Sequence, residues 1–156
     1  MVESLGRGET LYQLGGQYTI LNIIFNSKYT ENRVIAARVF CFANQNDAKV
    51  QNDSIGIGAF EFVERISKES DTKVKESFLS CVSNLIRGEN LEAKRIFIRI
   101  KGLEMVREVL TGEPTQRMKS KCFNVLRDLL FYDDVMHHTY KDLTSFSNTN
   151  SLKVEP

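Results

Sequence analysis

Apolar residues recur every three or four positions along most of this chain, and no run alternates for long enough to mark a strand. Tyr18, Ile20, Leu21, Ile24 and Phe25 follow Gly16. Phe60, Val63 and Ile66 stand three apart. Val74, Phe78, Cys81, Val82, Leu85 and Ile86 keep three-and-four spacing. Leu103, Val106, Val109 and Leu110 do the same, and so do Met118, Cys122, Val125, Leu126, Leu129 and Leu130. Such spacing gathers each set on one face of a helix. From Arg33 to Asn44 the chain is apolar almost all round, with Val34, Ile35, Ala37, Val39, Cys41 and Phe42. That pattern predicts a helix covered on several sides. Asp, Asn, Ser and Gly lie between the segments and suit caps and turns. The prolines, Pro114 and Pro156, leave the periodic stretches unbroken. The expected fold is all-α.

The segments also repeat. A glycine, a short amphipathic helix, a polar turn and a long amphipathic helix recur from Gly16, Gly58 and Gly102, at intervals of 42 and 44 residues. Ile57 to Val63 matches Lys101 to Val106, and Val82-Ser83-Asn84-Leu85-Ile86 matches Leu126-Arg127-Asp128-Leu129-Leu130. A helix pair that cannot bury its faces alone gains a core by stacking on the next pair, and a period of about 40–47 residues belongs to the armadillo and HEAT class. About three stacked repeats in a right-handed superhelix are therefore expected. The repeat domain is placed at residues 1–143, with repeats starting near 16, 58 and 102. Ser145 to Ser151 is Ser, Thr and Asn around one Phe, so residues 144–156 read as a flexible tail. The glycines suit sharp turns between helices, where a positive φ or close backbone approach is needed.

Composition changes this picture little but excludes much. A net charge of +1 from 21 basic and 20 acidic residues lacks the basic excess of a nucleic-acid binder. The longest apolar runs are interrupted by Asn22 and Arg38 and fall short of a membrane span. Met1-Val2-Glu3-Ser4 has neither the basic nor the apolar region of a signal peptide, so a cytosolic chain, or one starting after its targeting segment, is expected. Lys153-Val154-Glu155-Pro156 is not a retention signal. Cys41, Cys81 and Cys122 are odd in number and widely spaced, and read as buried free thiols. Asn52-Asp53-Ser54 fits the N-glycosylation pattern.

Catalytic chemistry finds no foothold. His137-His138 point about 100° apart on a helix and cannot readily share a metal. Asp133-Asp134 reads as a solvated pair, and Gly6, Gly8, Gly15 and Gly16 lack the Gly-Lys-Ser/Thr of a phosphate loop. Lys94, Arg95, Arg99 and Lys101 form a basic strip around Phe97, read as a solvated face with Ile96, Ile98 and Ile100 partly buried. No nucleophile–base pair or metal spacing emerges, so the chain is expected to be no enzyme and to need no cofactor or metal.

Three stretches carry a family resemblance. They are Ala36-Ala37-Arg38-Val39-Phe40-Cys41 with Gln45-Asn46-Asp47-Ala48-Lys49-Val50-Gln51 and Gly58-Ala59; Cys81-Val82-Ser83-Asn84-Leu85-Ile86-Arg87 with Phe97 and Lys101-Gly102-Leu103; and Leu126-Arg127-Asp128-Leu129-Leu130. Spanning about Gly16 to Leu130, they resemble the armadillo-type nucleotide exchange factors of heat-shock-70 chaperones. That family has a cytosolic branch and a branch acting on the endoplasmic-reticulum chaperone BiP. The Ala48-Lys49-Val50-Gln51 and Leu126-Arg127-Asp128-Leu129-Leu130 stretches look more like the luminal branch. The resemblance implies a monomeric co-chaperone whose concave surface grips the chaperone's ATPase domain and loosens ADP, without nucleic-acid binding or membrane insertion. It implies the endoplasmic-reticulum lumen, with the cytoplasm as the alternative. Members carry more repeats and a longer N-terminal segment, so the chain fits a fragment of such a protein.

In repeats of this kind the last helix of each unit lines the groove. Partner-binding positions expected on that basis are Ser80, Asn84 and Arg87 in the second unit and Asn124, Arg127 and Asp128 in the third, with Asn44 as a looser equivalent in the first. Solvated helix positions are the plainer reading of each, and an inward Asn84 would instead bridge backbone groups. The rival function is an armadillo scaffold holding an extended peptide or another protein in the same groove.

Overall fold

The polar turns between the periodic runs do act as helix caps. Asp47 accepts from the Val50 N–H at 3.1 Å, Asp71 from Lys73 and Val74 at 2.9 and 3.2 Å, and Asn90 from Ala93 at 3.0 Å. The Thr115 hydroxyl accepts from the Met118 N–H at 3.1 Å. Each satisfies a donor that a helix start leaves open. The computed structural model describes residues 5–130, and every regular element among them is an α-helix. These are α1 (Leu5–Gln13), α2 (Gly16–Asn26), α3 (Thr30–Ala43), α4 (Ala48–Gly56), α5 (Glu61–Lys68), α6 (Thr72–Ile86), α7 (Leu91–Arg99), α8 (Gly102–Thr111) and α9 (Gln116–Leu130).

They fall into three units of three. The sequence pattern gave two helices per unit, and α4 and α7 were hidden among the connections. The reason is physical. In α4 the buried positions are Val50, Gln51 and Ser54, and in α7 they are Ala93, Lys94 and Phe97. Polar side chains take interior places there, so hydrophobic periodicity does not reveal the helix. The tail from residue 144, His137-His138 and Asp133-Asp134 lie outside the described residues.

The glycine register also shifts by one. At the corner between the first and second helix of each unit, Gly15, Gly58 and Lys101 hold φ of 72°, 97° and 64°. The residue after each is small: Gly16, Ala59 and Gly102. The left-handed corner thus recurs every 43 residues, and Gly58 is equivalent to Gly15 and not to Gly16. Gly16 and Gly102 answer a need for close approach instead. A Cβ on Gly102 would stand 2.2 Å from Phe97 Cε2, and one on Gly16 would stand 2.3 Å from Leu11 Cδ1.

One core runs through all three units. Phe62 of α5 joins three other rings, with centroids 4.9 Å from Phe25, 5.5 Å from Phe40 and 5.2 Å from Phe78. Phe60 reaches Phe97 at 6.4 Å and carries the core into the third unit. α6 packs against both α3 and α9, so the last helices of the units lie side by side. The expectation that α3 is covered on several sides fails. Ala36, Ala37 and Phe40 are buried, but Ile35, Val39 and Phe42 are exposed, because α3 is the first of the three parallel-stacked helices and has only one such neighbour.

Two consequences are testable. Gly102→Ala forces a methyl into a fully buried ring that has nowhere to swing, and is expected to cost about 2 kcal/mol, read as a lower urea midpoint at unchanged slope. Asp71 joins α3 to α6 by accepting from the Thr30 hydroxyl at 2.6 Å. That bond, with the cap contacts and Arg33 and against the opposing effect of burial, holds its carboxyl below the ordinary value of 3.8. A depressed folded value means the stabilisation is complete above pH 3.8 and is lost as pH falls through the lower folded value. Asp71→Ala should therefore cost about 1 kcal/mol near neutrality, and the gap to wild type in thermal melts should close in strong acid.

Candidate functional site

Along α6, the residues Lys73, Ser77, Ser80, Asn84 and Arg87 succeed one another at four, three, four and three positions, a helical stripe opposite the buried Phe78, Val82 and Leu85. Arg117, Lys121 and Asn124 continue it on α9, and Arg38, Cys41 and Phe42 meet it from α3. Together they line an open groove of ≈ 610 Å³. Five cations border it, Arg38, Lys73, Arg87, Arg117 and Lys121, against Glu31 and Glu76. The lining therefore carries more cations than carboxylates, with Arg87 already paired to Asp128.

Side chains in the groove are held by neighbours. The Lys121 ammonium donates to the Ser80 hydroxyl, which donates to the Glu76 carbonyl at 3.2 Å. Thr115 donates to Glu76 at 3.0 Å. Asp128 of α9 is buried and reaches back to α6. One of its oxygens accepts from the Ser83 hydroxyl and from Arg87 Nε and Nη2 at 3.2 and 3.1 Å. The other faces Arg127 Nη2 at 3.3 Å. The Arg87 guanidinium is thus fixed at the groove end by a carboxylate from the next unit.

Behind the groove lies a buried polar seam. Gln51 Nε2 of α4 donates to the carbonyls of Asn44, Asn84 and Arg87 at 3.3, 3.0 and 3.2 Å, where α3 and α6 end. Its oxygen accepts from Asn90 Nδ2 at 3.1 Å. Asn44 donates to the Phe40 carbonyl at 2.9 Å and accepts from the Ser54 hydroxyl at 2.6 Å. These amides satisfy the carbonyls that helix C-termini leave open.

Measured against the expected contacts, Asn84 borders the groove but is mostly buried and not on the exposed face expected of it, whereas Ser80 and Arg87 lie on the groove and Asn124 beside it. Three others do not. Asn44 is fully buried and bonded within the seam, because as the residue that caps α3 it is held by Ser54 and Gln51 of α4. Asp128 is a buried cross-unit anchor, and Arg127 is exposed but turned onto Asp128. Nor does Asn84 bridge backbone groups. Gln51 does that, and Asn84 Oδ1 has no hydrogen-bond partner among the described residues. The groove lining also includes Lys73, Arg117, Lys121 and Arg38, which were not among the expected contacts although the spacing of Lys73 on α6 and of Arg117 and Lys121 on α9 continues the stripe. Gln51 and Ser83 carried no signal in residue type.

Other expectations resolve similarly. The strip around Phe97 splits: Lys94 is buried beside the core, whereas Arg95, Arg99 and Lys101 face solvent and Ile98 is exposed. Burial holds the Lys94 ammonium below its ordinary range, with Asp128 acting in the opposite sense. Asn52 is exposed, but it sits inside α4 with its side-chain Oδ1 accepting from Asn90 Nδ2 at 2.9 Å, and Ser54 of the same triplet is buried. The folded chain therefore holds this triplet in a helix instead of the surface loop a glycan acceptor favours. Among the described residues no cluster of His, Cys, Asp and Glu could hold a metal, and no helix is long and apolar enough to cross a membrane.

A family model, the SIL1/FES1/HPBP1 C-terminal domain, matches residues 7–154. The chain belongs to this family. Its members are heat-shock-70 nucleotide exchange factors with an armadillo-like fold, which agrees with the three stacked helix triplets and makes a heat-shock-70 chaperone the partner class. The match also runs through most of the segment from 144 that was read as a tail. No curated protein and no solved structure matches the chain.

The Asp128 anchor yields a paired expectation. Asp128→Ala leaves Arg87 and Ser83 facing each other without their shared acceptor and should cost about 3 kcal/mol. Arg127→Ala removes an exposed partner and should change stability by less than about 0.5 kcal/mol. Equal losses in chemical unfolding would show that the buried α6–α9 link is not the stronger one.

Proposed function

We propose that the groove along α3, α6 and α9 grips the ATPase domain of a heat-shock-70 chaperone and speeds release of its ADP. The observation that carries this reading is the family match over 7–154 to exchange factors, on a chain with an open groove whose lining holds more cations than carboxylates. No group in the groove needs to react. Exchange follows if the groove fits the open, nucleotide-poor ATPase domain better than the closed one. Reciprocity then applies: the factor by which this protein weakens ADP binding equals the factor by which ADP weakens the protein's own binding.

Arg87, Asn84 and Ser80 form the preset centre of the contact, with Lys73, Arg117 and Lys121 as cations that steer an acidic partner surface. The protein acts as a monomer. The luminal chaperone BiP is the proposed partner and the endoplasmic-reticulum lumen the proposed compartment. Support comes from the Ala48-Lys49-Val50-Gln51 and Leu126-Arg127-Asp128-Leu129-Leu130 stretches, which supply the Gln51 and Asp128 links between units.

The test is release of fluorescent ADP from isolated ATPase domains. The protein should accelerate release from the BiP domain by about tenfold or more, and less from a cytosolic heat-shock-70 domain. The double reversal Lys73→Glu with Arg117→Glu changes two exposed positions, so the fold should persist while acceleration falls about tenfold. An inert wild type that instead binds linear peptides would favour the scaffold reading, and equal action on both domains would overturn the luminal placement.

A further inference from the structure

Two of the three thiols are neighbours across a repeat boundary. Cys41 of α3 and Cys81 of α6 stand with sulfurs 3.8 Å apart, although they are 40 residues apart in sequence. Their settings differ. Cys41 is half-buried and lines the groove, open to solvent from that side. Cys81 is fully buried behind it, its sulfur also 3.8 Å from the Ala37 carbonyl. The buried Ala36 and Ala37 bring α3 and α6 close together at this level.

We propose that Cys41 and Cys81 are a peroxide-sensitive thiol pair on the groove floor, in which Cys41 is oxidised first and Cys81 resolves it as a disulfide joining the first unit to the second. The oxidant is a hydroperoxide. The Cys41 thiolate attacks one peroxide oxygen; the S–O bond forms, the O–O bond breaks, and hydroxide leaves as sulfur is oxidised to the sulfenic acid. The Cys81 sulfur then attacks the Cys41 sulfur. An S–S bond forms, the S–O bond breaks, and the departing hydroxide takes the Cys81 proton as water. Two thiols and one hydrogen peroxide give one disulfide and two waters.

The order follows from access and charge. The thiolate is the nucleophile. The bond from Cys81 lowers the Cys41 thiol below its ordinary value, with Lys121 and Arg87 adding to the effect and burial opposing it. Burial pushes the Cys81 thiol well up, and pushes the Cys122 thiol up to about 11. Closing from 3.8 Å to the ~2.05 Å of a disulfide asks for a movement of about 1.8 Å, within reach of side-chain rotation and a small shift of packed helices. The bond would enclose a loop of the first and second units and remove a reactive thiol from the groove lining.

The experiment treats the reduced, folded chain with hydrogen peroxide, alkylates remaining thiols after denaturation, and maps products by mass spectrometry. The expected product is a Cys41–Cys81 cross-linked peptide within one chain, with Cys122 still alkylated and the oxidised protein melting above the reduced one. In Cys81→Ser, Cys41 should accumulate as a sulfenic acid trapped by dimedone. In Cys41→Ser, Cys81 and Cys122 should both stay reduced, which preserves the test should the buried Cys81 variant fail to fold. Full alkylation of both thiols after peroxide, oxidation of Cys122 at the same rate, or cross-links between chains would overturn the proposal.

Discussion

Packing α3 beside α6 requires that the carbonyls at their ends be satisfied where no water reaches them, and one glutamine shares its two amide hydrogens among three of them. Gln51 stands in α4, fully out of solvent, with its amide pointed at the ends of α3 and α6. An unsatisfied buried carbonyl costs about 1–3 kcal/mol, and three converge here. α3 and α6 can therefore end together, at one level, because a polar side chain of α4 lies across both. Asn44, Ser54 and Asn90 extend the seam in both directions.

From this constraint the groove follows. Helices that end at one level and pack side by side present one continuous face, and on α6 and α9 that face is a polar stripe at helical spacing. Asp128 completes the arrangement by tying the end of α9 to the end of α6 through Arg87 and Ser83. The apolar core and the polar seam do different work. The phenylalanine cluster around Phe62 supplies the burial that holds units together, whereas the amides and Asp128 fix their register. A groove so fixed binds a folded partner with little ordering of its own, which is how a protein without reactive groups biases another protein's conformation.

Much of this was legible in the residues. The long helices showed themselves through apolar periodicity, and the repeat interval through matching corners. What stayed hidden was polar. Nothing in residue type marks Gln51 as an interior residue, and Val50 and Ile55 alone do not make α4 look helical. Gly58 aligned by identity with Gly102 and Gly16, whereas conformation aligns it with Gly15 and Lys101, because a lysine takes the left-handed place in the third unit. Asn44 and Asp128 looked like surface contacts because Asn and Asp are usually solvated; here each has partners from another unit, and partners across 10 and 45 residues are not visible along the chain. Ser80 and Arg87 were legible as groove-lining positions because they recur at helical spacing on the face of α6 opposite its buried Phe78, Val82 and Leu85.

The central claim is that one face, the groove of the last helices, meets the chaperone. Hydrogen exchange of the chain alone and in complex with the BiP ATPase domain tests it most directly. The account predicts added protection in α6 from Lys73 to Arg87 and in the first half of α9 near Arg117 and Lys121, with α5 and α8 unchanged. Protection confined to α5 and α8, with the groove helices unaffected, would contradict it.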